Sequence, residues 1–334
     1  MTNPSVMHNP SFSRIHLFKK IGVLTIVFLL ILLSRPLWLH IFSPYHAPIT
    51  LDANLIQEID TTIHHDSLPF DAPSPPRSFG SELSTSTHNA AEQHSTQKDA
   101  FNALCMQYES LCNRIQRDSS IDARSAYTQL LMLVGALAYL DSAFSGPPFS
   151  SFVEKIIIHV NTQASRGSAG HTSLSLNNSR LRLPREFWEV SVHELGHVLD
   201  LGYKVGYSPL KHSSYTEFGR TVFSTTDPSL EFYALSRDSE SIRKRGSRSL
   251  DFVSGYAMKN PFEDIAESIN MYINHYDLFE KMRVSSPILD QKFAIIDKWF
   301  GGIGGYPATK SLTSSLSTTA RYRDTTSLFK EFIQ

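Results

Sequence analysis

PREFWEVSVHELGHVLDLG, residues Pro184 to Gly202, is the stretch whose reading decides the fold of this chain. Proline suits the first position of a helix, where its missing N–H costs nothing, and glycine suits the stop, so a helix is predicted from Pro184 to about Leu201. Glu186 falls in the first turn, where a negative charge complements the helix dipole. Val190, Leu195, Val198 and Leu199 are expected to face the core, while His193 and His197 look into a cleft. Residues four apart on a helix share one face, so the two imidazoles can converge on a single ion. Glu194 stands beside them as a candidate base. Gly196, between the histidines, would let another backbone or a substrate come close.

His193-Glu194-Leu195-Gly196-His197 has the H-E-x-x-H form that zinc hydrolases carry on a helix. Two histidines do not complete a catalytic site, which needs three protein ligands and one open position. The segment FVSGYAMKNPFEDIAES, Phe252 to Ser268, offers the third. Asn260 can cap a helix whose first position is Pro261, which puts Glu263 in the first turn with its carboxylate projecting from a fixed point. Glu267 lies one turn further on the same face, and Asp264 and Glu267 are the alternatives to Glu263 as ligand. A metzincin pattern fails, because it requires glycine three residues after the second histidine, where this chain has Asp200. Asp200, on the face of His193, could orient a ligand or a neighbouring loop and His171 could touch substrate, but both read first as surface residues.

Taken together, His193, Glu194, His197, Tyr256, Glu263 and Glu267 resemble the gluzincin arrangement of zincin metallopeptidases, with a third-ligand segment similar to that of lethal-factor-type catalytic domains. The resemblance covers roughly Lys98 to Phe300 in element order, and its motifs are confined to two short segments. It implies one zinc ion per chain held by His193, His197 and Glu263. Glu194 would be the base that activates a water, Tyr256 a donor to the oxyanion, and Glu267 a carboxylate behind a ligand histidine. The 65 residues between His197 and Glu263 exceed the spacing of those relatives, which leaves the intervening fold open.

The 334 residues, 41% hydrophobic and 19% charged with a formal net charge of −1, suffice for one substantial core and give no basic tract for nucleic acid. Arg14, Lys19 and Lys20 precede the apolar run Ile21 to Leu33, which reads as a signal or anchor segment. The favoured reading is an uncleaved membrane anchor with the catalytic domain outside the cytoplasm; export after cleavage is the alternative. Four regions follow: 1–45 as cytoplasmic N-terminus and hydrophobic segment, 46–97 as a Ser/Thr/Pro/His-rich tether, 98–305 as the globular domain, and 306–334 as a mobile Ser/Thr-rich tail.

Within the globular region, helices are predicted at Ala100 to Gln116 and Asp122 to Phe144, the latter apolar and buried behind the site. A strand is expected at Phe152 to Val160, a turn at Arg166 to Gly170, and an edge strand at His171 to Leu176 able to pair with an extended peptide. Further helices are expected near Asn260 to Tyr276 and Pro287 to Phe300. Cys105 and Cys112 lie seven apart in a stretch that reads as helical, so either the helix breaks between them or they stay unpaired.

The fold expected is α+β and zincin-like: a small mixed sheet, the His193–His197 helix and a mostly helical C-terminal half. The function expected is zinc-dependent hydrolysis of peptide bonds in envelope or extracellular polypeptides. The rivals are a zinc hydrolase of peptidoglycan cross-links and a non-catalytic, membrane-anchored interaction protein with a vestigial fold of this kind.

Overall fold

The protein's structure, a computed structural model, describes residues 48–64, 96, 98–205, 212–306 and 324–331. The hydrophobic segment at Ile21 to Leu33, residues 65–97 of the expected tether apart from residue 96, and residues 307–323 lie outside the described residues. Among the described residues no helix is long and apolar enough to cross a membrane.

Among the described residues the architecture is mixed α+β and mostly helical, with a four-stranded sheet and a separate two-stranded one. Helix α1 (Ala53–His64) is followed by β1 (Ile115–Arg117), α2 (Ala123–Ala143), β2 (Lys155–His159), β3 (Gly167–Ala169) and β4 (Ser173–Asn177). Helix α3 (Pro184–Val198) comes next, with a π-helical extension over Leu199–Tyr203. A hairpin of β5 (His212–Glu217) and β6 (Thr221–Ser224) leads to α4 (Ser229–Ser236), α5 (Pro261–Asn274), α6 (Tyr276–Arg283) and α7 (Pro287–Trp299). The sheet runs β1-β2-β4-β3, parallel except for β3, which is antiparallel to β4.

Local chemistry explains most boundaries. Asp122 caps α2 by accepting the Ser125 N–H at 3.0 Å, and Ser286 caps α7 by accepting from Leu289. Every residue of α2 from Gln129 to Leu140 is buried, as its apolar run predicts. At Gly135 the missing side chain admits two neighbours, since a Cβ there would stand 2.7 Å from Ile59 Cδ1 and 3.0 Å from Trp188 Cζ3. Helices α1 and α3 therefore both close on α2 at this glycine.

The structure corrects several expectations. The tether does not begin at residue 46: α1 buries Leu55 and Ile59 against α2 and α3, because its apolar positions recur at helical spacing. The helix expected to run to Gln116 breaks at Tyr108, whose φ of −120° and ψ of 48° are not helical, and resumes for only Glu109–Cys112. That break brings the Cα atoms of Cys105 and Cys112 to 5.6 Å, and the two are disulfide-bonded. Ile115–Arg117 becomes a strand. The edge of the sheet is not His171 to Leu176; β4 lies inside, and the edge is β3, built from the small residues that read as a turn. Nor is all of 306–334 a mobile tail, for Thr325–Glu331 forms a 3₁₀ helix with Thr325, Thr326 and Leu328 buried.

Because Ile59 is fully buried where three helices meet, Ile59→Ala should destabilise the protein by about 2–5 kcal/mol, read as a lower midpoint in denaturant unfolding.

Candidate metal centre

Helix α3 is buried on almost all sides, and only His197 and Pro184 among its fifteen residues are partly open. Its polar residues are held accordingly. Arg185 donates to Glu189 at 2.6 Å, Glu189 lies 3.3 Å from His275, and Trp188 donates to Asn274 at 2.5 Å. The rigid helix presents His193, Glu194 and His197 to one cleft.

The neighbour opposite is α5. A Cβ on Gly196 would lie 3.2 Å from Ala266 Cα, so the glycine allows the two helix backbones to touch. Asn260 accepts the Glu263 N–H at 2.8 Å and Pro261 fills the first position, which fixes the first turn as the sequence implies. Glu263 Oε2 then sits 3.3 Å from His193 Nε2 and 3.4 Å from His197 Nε2. One turn later Glu267 is wholly buried, its Oε1 lying 3.0 Å from His193 Nδ1. Asp264, the other candidate ligand, turns away and pairs with the buried Lys292 at 2.6 Å.

These contacts pose a problem that a cation solves. Glu267 Oε1 stands 3.0 Å from His193 Nδ1, and Nε2 of the same ring faces the carboxylate of Glu263. Glu263 Oε2 is buried and receives no hydrogen bond. Two imidazole nitrogens against one buried carboxylate oxygen call for positive charge between them, carried either by protons on the rings or by a bound cation. His193, His197 and Glu263 each offer one ligand atom, all within 4.8 Å of one another, and together form a candidate metal-binding group. Burial raises the carboxyl of Glu263, yet the two histidines outweigh it and hold it well below the usual range.

Glu194 is 6% exposed. Burial raises its carboxyl and the charges of His193 and His197 oppose that rise, with a net upward shift. Its carboxylate abuts Gly167 of β3 so closely that a Cβ there would collide with it. Tyr256 lines the same cavity, with its ring 6.1 Å from that of His193 and the Lys259 ammonium 3.6 Å from its own ring centre. Burial first, and then the Glu263 carboxylate, push its phenol upward, so it stays protonated and able to donate. The cavity, of about 190 Å³, is bounded by Arg166 and Gly167 on one side and by Asp324 and Thr326 on another.

Two residues read as surface positions are not alike. His171 is exposed, in the β3–β4 turn, with Nε2 2.7 Å from Glu217 of β5. Asp200 is fully buried instead, accepting hydrogen bonds from the hydroxyls of Ser229 and Tyr233, which tie the end of α3 to α4. Burial, against those two bonds, pushes its carboxyl up to about 7. Sequence reading missed Ser254, whose hydroxyl donates to Glu267 Oε2 at 2.6 Å, and Thr325, whose N–H donates to the same oxygen at 2.7 Å. It also missed Arg166, whose guanidinium bridges Glu186 at 3.1 Å and Asp324 at 2.8 Å. Nothing in local sequence marks Thr325, because its partner lies 58 residues away. No family model, curated protein or solved structure matches the chain.

Divalent metal should bind at about one ion per chain and be lost in Glu263→Ala, as counted by elemental mass spectrometry. Glu267→Gln should retain the ion but weaken its affinity by about 10–100-fold in a chelator competition.

Proposed function

We propose that this protein is a zinc-dependent peptidase of zincin type. The observation that carries the reading is the buried, undonated Oε2 of Glu263, 3.3 and 3.4 Å from two imidazole nitrogens, with a carboxylate base on the same helix as those histidines. Ligands about 2.05 Å from a tetrahedral ion stand about 3.3 Å from each other, close to the two Glu263–histidine distances of 3.3 and 3.4 Å. Two imidazoles and a carboxylate form the donor set of catalytic zinc sites that keep a position open. When bound, zinc would act as a Lewis acid that polarises the scissile carbonyl and acidifies a water.

The chain's own residues then divide the work. Glu194 takes the proton of the attacking water and delivers it to the leaving amine as the C–N bond breaks, so that its carboxylate is restored. Tyr256 donates to the oxygen that gains negative charge, a contact typically worth a few kcal/mol in the transition state. Glu267 keeps His193 in the tautomer with Nε2 free and makes it more basic. Among the described residues β3 has no strand on its outer side, and its backbone runs past Glu194, which suits an extended polypeptide added in β-augmentation.

The hydrophobic run Ile21 to Leu33 supports a placement of this activity outside the cytoplasm, on a membrane anchor or after export. The substrates would then be envelope or extracellular polypeptides.

Glu194→Gln should bind zinc as the wild type does, yet lose peptide hydrolysis by a factor of about 10²–10⁴ in an assay of fragments released from unfolded protein. Release of muropeptides from cell wall instead would move the reading to cross-link hydrolysis. Equal performance of the variant in every assay would favour a non-catalytic role. Tyr256→Phe should lower kcat by about 10²–10³ with KM and zinc content little changed.

A further inference from the structure

Residues 324–331 return to the metal centre from the far end of the chain. Asp324 accepts from Arg166 at 2.8 Å, and Arg166 also holds Glu186 in the first turn of α3. Thr325 is fully buried; its hydroxyl accepts from Asn270 of α5 at 2.8 Å, and Leu328 is buried two residues after Thr326. The segment is thereby pinned to both α3 and α5, the two helices that carry the candidate ligands. Its one backbone donor to the centre is the Thr325 N–H, 2.7 Å from Glu267 Oε2.

Glu267 has no solvent to satisfy it. Its Oε1 faces His193 Nδ1 at 3.0 Å, and Oε2 must find donors within the protein. It finds two, the Ser254 hydroxyl at 2.6 Å and the Thr325 N–H at 2.7 Å, from segments far apart in the chain. Hydrogen bonds to a carboxylate fix its plane. The orientation of that plane sets the orientation of the His193 ring, and hence where its Nε2 points.

From this chain of contacts we infer that the C-terminal segment Asp324–Leu328 is a positioning element of the metal centre: through the Thr325 N–H it fixes Glu267, and through Glu267 it fixes the ligand His193. The inference rests on the zinc reading of the site. It also makes Asp324 and Thr326 a wall of the cavity beside Glu194, so the same segment that steadies the ligand shapes the space a substrate side chain would enter.

Two substitutions at one residue separate this role from simple packing. Thr325→Pro removes the N–H, and Thr325→Ala removes the hydroxyl bonded to Asn270 but keeps the N–H. A third chain, ended after Arg323, removes the whole segment. Zinc affinity is measured by chelator competition on the full-length protein and its variants, and the visible absorption of the cobalt(II)-substituted protein reports the ligand geometry. Thermal unfolding of the metal-free chains is followed in parallel. Thr325→Pro and the shortened chain should bind zinc about 10–100-fold more weakly and show altered cobalt bands, whereas Thr325→Ala should stay within about threefold with wild-type bands.

Equal affinities in Thr325→Pro, Thr325→Ala and wild type would overturn the inference while leaving the zinc site standing. So would a shortened chain that fails to fold at all, since the segment would then be a structural closure and not a positioning element. A folded wild type that takes up no zinc would overturn both the inference and the zinc reading beneath it.

Discussion

Gly196 of α3 and Ala266 of α5 meet backbone against backbone, with room for no side chain larger than hydrogen at the first of them unless the helices separate by a few tenths of an ångström. That contact governs the centre. It sets the spacing at which Glu263 faces both imidazoles and at which Glu267 reaches the back of His193. Gly135 has a similar role in the layer behind, where α2 receives Ile59 and Trp188. Packed interiors transmit such constraints because they have no slack to absorb them.

Electrostatics explains why so many residues surround a few side chains. Three carboxylates, those of Glu194, Glu263 and Glu267, converge on two imidazoles where little water enters. Their mutual repulsion is tolerable only with positive charge at the centre and donors around the rim. Ser254 and Thr325 supply the donors for Glu267. The flanking charges are settled separately. Asp264 is drawn off by Lys292, whose ammonium also donates to the Asp251 carbonyl at 2.9 Å, and Glu189 is held by Arg185 and His275. Each pairing removes a competitor from the cleft and leaves it to Glu194 and the candidate ligands.

The two helices that carry the candidate ligands, and the faces on which those residues stand, were legible in the chain because they are local. The i, i+4 spacing of His193 and His197, the Pro184 start, and the Asn260-Pro261 cap before Glu263 are read from neighbours in sequence, and helical periodicity converts them into faces. The buried helix at Leu130 to Leu140 and the helices at Pro261 and Pro287 follow from the same logic. Short strands did not. Gly167-Ser168-Ala169 has the composition of a turn, and it is an edge strand because its small residues let it run against Glu194. Tyr108 gave no sign of the helix break that lets Cys105 and Cys112 pair.

The sequence by itself determined the two helices that carry the candidate ligands, the place of Glu194 beside two of them and the mixed α+β class, since each depends on periodicity, capping and turn chemistry within a few residues. Only the tertiary structure decided which groups stand behind the ligands and which wall the cleft. Thr325 reaches Glu267 across 58 residues, Asp324 reaches Arg166 across 158, and Ile59 packs beside Gly135. Such pairs carry no local signature, because a backbone N–H or a methyl group is the same in every residue that offers one. What makes them specific is the path by which the chain returns.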